Sequence, residues 1–197
     1  MSSAKAERFL GFAKQRLRPA ADLLQRVHKI NASQPSILDV GCGMGNSTEL
    51  LFERFPGARI KMLDKSSDMI KAAAANPKIA GRELVNFVCE PIEDHFADGS
   101  SSTMHDLIFS NTALHWCDEL PALTARMLQR VRPNGTLAMQ IPDSRLLASH
   151  QIMHEVALEH GLSPDEVCIP SERHDPDSYG DAILGPLCQD LDGGRRR

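Results

Sequence analysis

The sequence predicts an α/β fold built on a doubly wound, mostly parallel sheet, and three observations carry that prediction. Short apolar runs alternate with stretches of helical period along most of the chain. The first run, Ile37-Leu38-Asp39-Val40, leads straight into Gly41-Cys42-Gly43-Met44-Gly45 and then into a helical stretch. The second run is followed by an acid, Asp64, at the strand end where open α/β sheets present groups to a ligand.

Before the first strand, Leu10, Ala13, Leu17, Ala21, Leu24 and Val27 recur at helical spacing, with Pro19 expected to break or start a helix. Ser47 opens a helical stretch that runs to Phe55 and is stopped by Pro56-Gly57. Arg59 to Leu63 reads as the second strand and Asp68 to Ala75 as the next helix. The third strand is Val85 to Cys89, and the fourth is Asp106 to Ser110. Leu120 to Val131 is expected to be helical and closed by Pro133-Asn134-Gly135, followed by a fifth strand from Thr136 to Ile141. A last helix is expected over Ser149 to His160. The pattern divides the chain into a helical cap (residues 1–35), a ligand-binding core (36–160) and an acidic, proline-punctuated segment without a strand (161–197).

A chain of 197 residues suits one domain of this kind. The formal net charge of −4 offers no basic footprint for a nucleic-acid backbone, so no nucleic-acid partner is expected. The five cysteines are spread out and never form a Cys-x-x-Cys pair, which points to a reducing compartment rather than to disulfides or zinc. No apolar run approaches the ~20 residues that span a bilayer. Residues 1–30 lack an apolar signal core, and a cytoplasmic protein with no membrane partner is expected.

A strand, a glycine-rich turn and a helix make a nucleotide-type loop. Glycine lets a ligand come close to the backbone, and the helix N-terminus offers free N–H groups. A dinucleotide loop spaces its glycines G-x-G-x-x-G. Here the third glycine falls one residue early, at Gly45, and Asn46 takes its place. Asp39 is a second departure, since an acid at the strand end repels a pyrophosphate and attracts an ammonium group. Both departures favour S-adenosylmethionine over NAD, and Asp64 is placed to accept hydrogen bonds from both ribose hydroxyls.

Ile37 through Asp64 resembles the class I S-adenosylmethionine-dependent methyltransferases, whose fold is Rossmann-like. A narrower resemblance, to the trans-aconitate 2-methyltransferase family, runs from Arg16 to about Leu187. It rests on Arg18-Pro19-Ala20-Ala21-Asp22-Leu23-Leu24, on Gly45-Asn46-Ser47-Thr48-Glu49-Leu50-Leu51, on Asp106 through Trp116, and on Met139-Gln140-Ile141-Pro142-Asp143. The resemblance implies that Asp39, Gly41, Cys42, Gly43 and Gly45 surround the methionine end of the cofactor. Asp64 would take the ribose, with Lys65 beside it, and Met69 would pack against the adenine. Ser110 and Asn111 would complete the site after the fourth strand. Members of the class usually follow the third strand with an acid that meets the adenine amino group. Pro91 stands there in this chain, which leaves Glu90 or the Ile92 backbone for that contact. The family also continues with two further strands, and this sequence stops where the sixth would begin.

The expected acceptor is a small organic acid, with trans-aconitate first and another small metabolite as the alternative. A non-catalytic cofactor-binding protein is the reading outside enzymes. A carboxylate, with a pKa of about 4, is already ionised at neutral pH, so no general base or triad is required and no catalytic residue is assigned. The Asn/Asp-Pro-Pro-aromatic motif of nucleic-acid methyltransferases is absent from Ser110-Asn111-Thr112-Ala113-Leu114-His115-Trp116. Arg16, Arg18 and His115 are the candidate cations for the substrate's carboxylates, because guanidinium groups match carboxylates bidentately. Trp116 fits either a wall of the site or a core indole. His150 and His154 share a helical face, but no third ligand accompanies them and Leu158 stands where a His-Glu-x-x-His motif would need its second histidine. No metal is expected.

Overall fold

The computed structural model describes residues 13–97, 103–142 and 147–163. Its elements run α1 (Ala13–Gln25), β1 (Ser36–Val40), α2 (Asn46–Arg54), β2 (Arg59–Asp64), α3 (Ser67–Ala74), β3 (Val85–Cys89), α4 (Ile92–His95), β4 (His105–Asn111), a single 3-10 turn (Leu114–Trp116), α5 (Leu120–Leu128), β5 (Val131–Gln140) and α6 (Ala148–Glu159). The five strands form one sheet in the order β3-β2-β1-β4-β5, and every pairing is parallel. The expected doubly wound sheet is therefore present. Most of the segment 161–197, including the stretch carrying the resemblance to Leu187, lies outside the described residues.

Strand side chains point alternately to opposite faces, and this period of two divides the core into two layers. Ile37, Ile60, Met62, Leu107 and Phe109 face α1, α2 and α3, packing with Ala20, Leu24, Leu51 and Phe52. Leu38, Val40, Leu63 and Ile108 face the other way, onto Phe96, Leu120, Leu123 and Met127. With both faces covered, the strands carry continuous apolar runs, which is why they stand out in the sequence.

Two proline readings need correction. Pro19 neither starts nor ends a helix but lies inside α1. An interior proline costs about 3 kcal/mol. Burial of Leu24 and Val27 against the core offsets it, at about 1.5–3 kcal/mol for each such side chain. Pro133-Asn134-Gly135 does not close the preceding helix, which ends at Leu128, but lies within β5. The register jumps there: His105 pairs with Val131 and Leu107 with Thr136, so the four residues 132–135 stand opposite Asp106 alone. Asn134 takes a left-handed φ of 65°, and Arg132 reaches Asp106 at 2.7 Å. The turn residues build a bulge on an outer strand, a place where a proline's missing N–H is tolerated.

The topological switch point lies between β1 and β4. From β1 the chain winds outward through β2 and β3, and it returns to add β4 and β5 on the other side. Ligands of open α/β sheets bind at the carboxyl ends of the strands at such a point.

Candidate cofactor cleft

At the end of β1 the chain enters Gly41 (φ 71°) and Gly43 (φ 55°), both in the left-handed region that favours glycine. The Gly41 and Cys42 amides donate to the Leu63 carbonyl at 2.8 and 3.0 Å, which ties the loop to the end of β2. A Cβ on Gly41 would stand 2.1 Å from the Ala113 Cβ, so the loop and the turn after β4 are in mutual contact. A Cβ on Gly43 would meet nothing within 4 Å. The Gly45 carbonyl accepts from the Glu49 amide at 3.0 Å as α2 begins.

Asp39 is fully buried beneath this loop and accepts hydrogen bonds from Thr48 Oγ1 at 2.6 Å and Ser47 Oγ at 3.0 Å. Burial raises its pKa from 3.8 to about 6 against the lowering effect of those two hydroxyls, with the nearby Asp64 adding to the rise. Asp64 is braced differently. One carboxylate oxygen accepts from the Gly43 amide and the other from the Ser66 amide, each at 2.9 Å. A carboxylate has about four lone-pair sites, so two remain for a ligand.

These groups border a cavity of about 810 Å³ over the ends of β1, β2 and β4. That lies within the roughly 300–1,000 Å³ of small-molecule sites. The loop and Asp64 form its floor; Met69, Ile92 and Glu93 form one wall; Asn111, Thr112 and Trp116 form the other; Leu17 and Pro19 of α1 close over it. Thr112 has a φ of 55°, unfavourable for a β-branched residue. It is held by its amide on the Gln140 carbonyl at 3.0 Å and by Asn111 Nδ2 on its hydroxyl at 3.1 Å. Gln140 Nε2 in turn donates to Asn111 Oδ1 at 2.5 Å.

Residues 38–139 match the family model described as a methyltransferase domain. The chain is 34% identical over 196 residues to a trans-aconitate 2-methyltransferase of Rhodopseudomonas palustris (strain BisA53), covering 98% of this chain and 72% of that protein. The chain belongs to the S-adenosylmethionine-dependent methyltransferases. It is also 38% identical over 149 residues to a Delftia acidovorans protein of the same name, covering 76% of this chain and 53% of the relative. The chain spans about half to three fifths of the length of the first curated relatives it matches. Among solved structures, a putative methyltransferase of Bacillus halodurans matches with a TM-score of 0.60 at 15% identity, covering 84% of this chain and 67% of that one. Haemonchus contortus phosphoethanolamine N-methyltransferase 2, solved with S-adenosyl-L-methionine, matches with a TM-score of 0.55 at 15% identity, over 90% of this chain and 43% of that one. At these identities the two structures establish the fold.

The family's cofactor is S-adenosylmethionine, and the cleft fits it on two observations. Gly43 leaves open space where a side chain would stand. Asp64 keeps spare acceptor sites toward the cavity, where a ribose diol has two donors to offer. Of the residues assigned from the sequence, Gly41, Cys42, Gly43, Asp64, Lys65, Met69, Ile92, Asn111 and Trp116 line the cavity.

The others sit elsewhere. Asp39 anchors α2 beneath the loop, and the left-handed Gly45 caps that helix. Ser110 is buried and donates to the Val40 carbonyl at 3.0 Å, tying β4 to β1. Glu90 is turned to His95, at 2.5 Å. Arg18 is largely exposed and pairs with Asp22 at 3.8 Å. His115 packs against Trp116, with ring centroids 5.1 Å apart, and is not among the lining residues. The Arg16 and His150 side chains lie outside the described residues. Trp116 is 61% exposed, which rules out a core indole.

Among the lining residues that sequence reasoning did not assign to the site are Glu93, Thr112 and Cys117. Only Glu93 had a signal: Pro91 caps a four-residue helix and brings the next two residues to the cleft. Among the described residues no helix is long and apolar enough to cross a membrane, and no group of three or more His, Cys, Asp or Glu side chains could hold a metal.

Proposed function

We propose that this chain esterifies one carboxylate of a small organic acid with the methyl group of S-adenosylmethionine, with trans-aconitate as the leading acceptor. The single observation that carries the acceptor class is the shared name of the relatives matched at 34–41% identity. The cleft supports the cofactor half of the reading. Gly41, Cys42 and Gly43 hold the methionine end, with Asp39 and Gly45 shaping the loop from behind. Asp64 takes the ribose with Lys65 beside it, and Met69 packs on the adenine.

The cofactor supplies an electrophilic methyl group on a sulfonium, and the residues supply position. No side chain has to remove a proton, because the acceptor is already an anion at neutral pH. Alignment of two bound reactants is worth on the order of 7–11 kcal/mol. Asn111 and Thr112, braced by Gln140, are rigid groups at the end of β4 suited to that task. Trp116 walls the mouth.

A second reading, in which the acceptor carries fewer charges, is favoured by the cavity's own charge. Its described lining contains the acids Asp64 and Glu93 and a single cation, Lys65. A tricarboxylate requires more positive charge, which Arg16 and Arg18 would supply from α1. Tritium transfer from labelled cofactor to a panel of mono-, di- and tricarboxylates and hydroxylated metabolites distinguishes the readings. Transfer to trans-aconitate that falls in Arg18→Ala supports the first. Transfer to hydroxylated compounds alone overturns the first and supports the second, and unchanged kinetics in Arg18→Ala removes that arginine from the site.

A further inference from the structure

We infer that Asn76, which is not among the described lining residues of the cleft, is a positioning residue for the glycine loop and through it sets the affinity for the cofactor's methionine end. The inference rests on the cofactor reading of the cleft and adds to it a residue that acts without touching the ligand.

Asn76 follows α3 and precedes Pro77, which has no N–H and cannot extend the helix. Its side chain makes the turn that asparagine favours, with Oδ1 accepting from the Lys78 amide at 3.0 Å. That contact fixes which way the amide faces. Its Nδ2 donates to the Met44 carbonyl at 3.3 Å and to Glu49 Oε1, in the first turn of α2, at 2.8 Å. A side-chain amide has two N–H donors, and both are committed to segments 32 and 27 positions away. The turn by itself uses neither of them.

The Met44–Gly45 peptide is the part of the loop that most needs such a brace. Gly45 (φ 88°) leads the chain into α2, and a glycine beside a peptide bond lets that peptide rotate at little cost. Both of its polar groups are tied: the Gly45 amide donates to the Cys42 carbonyl at 2.9 Å, and the Met44 carbonyl accepts from Asn76. Ile79, three residues after Asn76, packs on the same point, since a Cβ on Gly45 would stand 2.3 Å from its Cδ1. Met44 and Asn46, on either side of Gly45, line the cavity, so rotation of this peptide displaces lining residues. Asp64 thus holds the Gly43 amide from within the cavity lining, and Asn76 holds the Met44 carbonyl from outside it. Loss of one neutral hydrogen bond lowers the fraction of loops in the competent arrangement, and the apparent affinity falls with that fraction, by about fivefold.

Calorimetric titration of the full chain with S-adenosylhomocysteine and with methylthioadenosine, which keeps the adenosine but lacks the amino-acid end, tests the assignment. In Asn76→Ala the ratio of the two affinities is expected to shift by about fivefold against S-adenosylhomocysteine. Asn76→Asp keeps the side chain's size and its acceptor for the Lys78 amide but has no N–H to donate, and its ratio is expected to shift at least as far. Lys78→Ala removes the ion pair between Lys78 and Glu49, 2.8 Å apart, leaves both Asn76 donors in place, and should keep the wild-type ratio. A ratio between two ligands is insensitive to partial loss of folded protein. If either Asn76 variant weakens both ligands equally, or keeps the wild-type ratio, the assignment is wrong while the cofactor reading stands. If the wild-type chain binds neither compound, the cofactor reading itself fails and the assignment with it.

Discussion

Gly41→Ala concentrates the loop's two structural demands in one methyl group. The residue's φ of 71° costs an L side chain about 1–2 kcal/mol. The added Cβ would also stand 2.1 Å from the Ala113 Cβ, which is fixed to the backbone of the turn after β4 and cannot rotate away. Forcing a well-packed contact apart costs about 1–3 kcal/mol more. The total, about 2–5 kcal/mol, corresponds to a melting-temperature drop of roughly 4–20 °C at 2–4 °C per kcal/mol for a chain of this size. Gly41→Ala/Ala113→Gly removes the clash but keeps the strain, so a double-mutant cycle separates the two. Thermal unfolding followed by circular dichroism should show the double variant recovering more than 1 kcal/mol relative to the sum of the single ones. Additive single effects would refute the direct contact between the loop and the turn.

Gly43→Ala should lose only about 1–2 kcal/mol of stability, because its Cβ meets no protein atom, yet it should abolish S-adenosylhomocysteine binding in the same calorimetric assay by filling the space beside the ligand. Thr112→Gly relieves a left-handed φ and should raise stability by about 1 kcal/mol in chemical denaturation while lowering turnover, since the bracing of Asn111 loosens. Two buried groups give opposite pH trends. Asp39 has a folded pKa raised to about 6, so its contribution is lost as pH rises from about 4 to 6, by about 3 kcal/mol in all. His105 is held neutral by burial with a pKa lowered to about 4, so its contribution is lost as pH falls from about 6.5 to 4. Urea titrations of Asp39→Asn against wild type from pH 4 to 7 should therefore show the variant losing less stability as pH rises.

The loop, Asp64 and the five strands, the fifth only from Thr136 onward, were legible in the sequence because each is local: an apolar run, a glycine spacing, an acid at a strand end. What escaped depends on contacts between distant segments. Pro133-Asn134-Gly135 carries turn chemistry, and only the pairing of β5 with β4 converts it into a bulge within a strand. Pro19 breaks an isolated helix, and only the core beneath α1 holds it in one. Asp39 has the residue type expected of a ligand contact, and its engagement by Ser47 and Thr48, in the first turn of α2, emerges only once the helix is in place. Glu93 and Cys117, separated by 24 positions of sequence, line the same cavity and show no mutual pattern in the sequence.

The account's central claim is that the β1 loop and Asp64 together form an S-adenosylmethionine site. It is tested most directly by calorimetric titration of S-adenosylmethionine into the wild-type chain and into Asp64→Ala. Loss of hydrogen bonds to a charged acceptor, at about 1.5–3 kcal/mol each, should weaken binding by about tenfold or more in the variant. Equal affinity in the two proteins, or no binding to the wild-type chain, would contradict it.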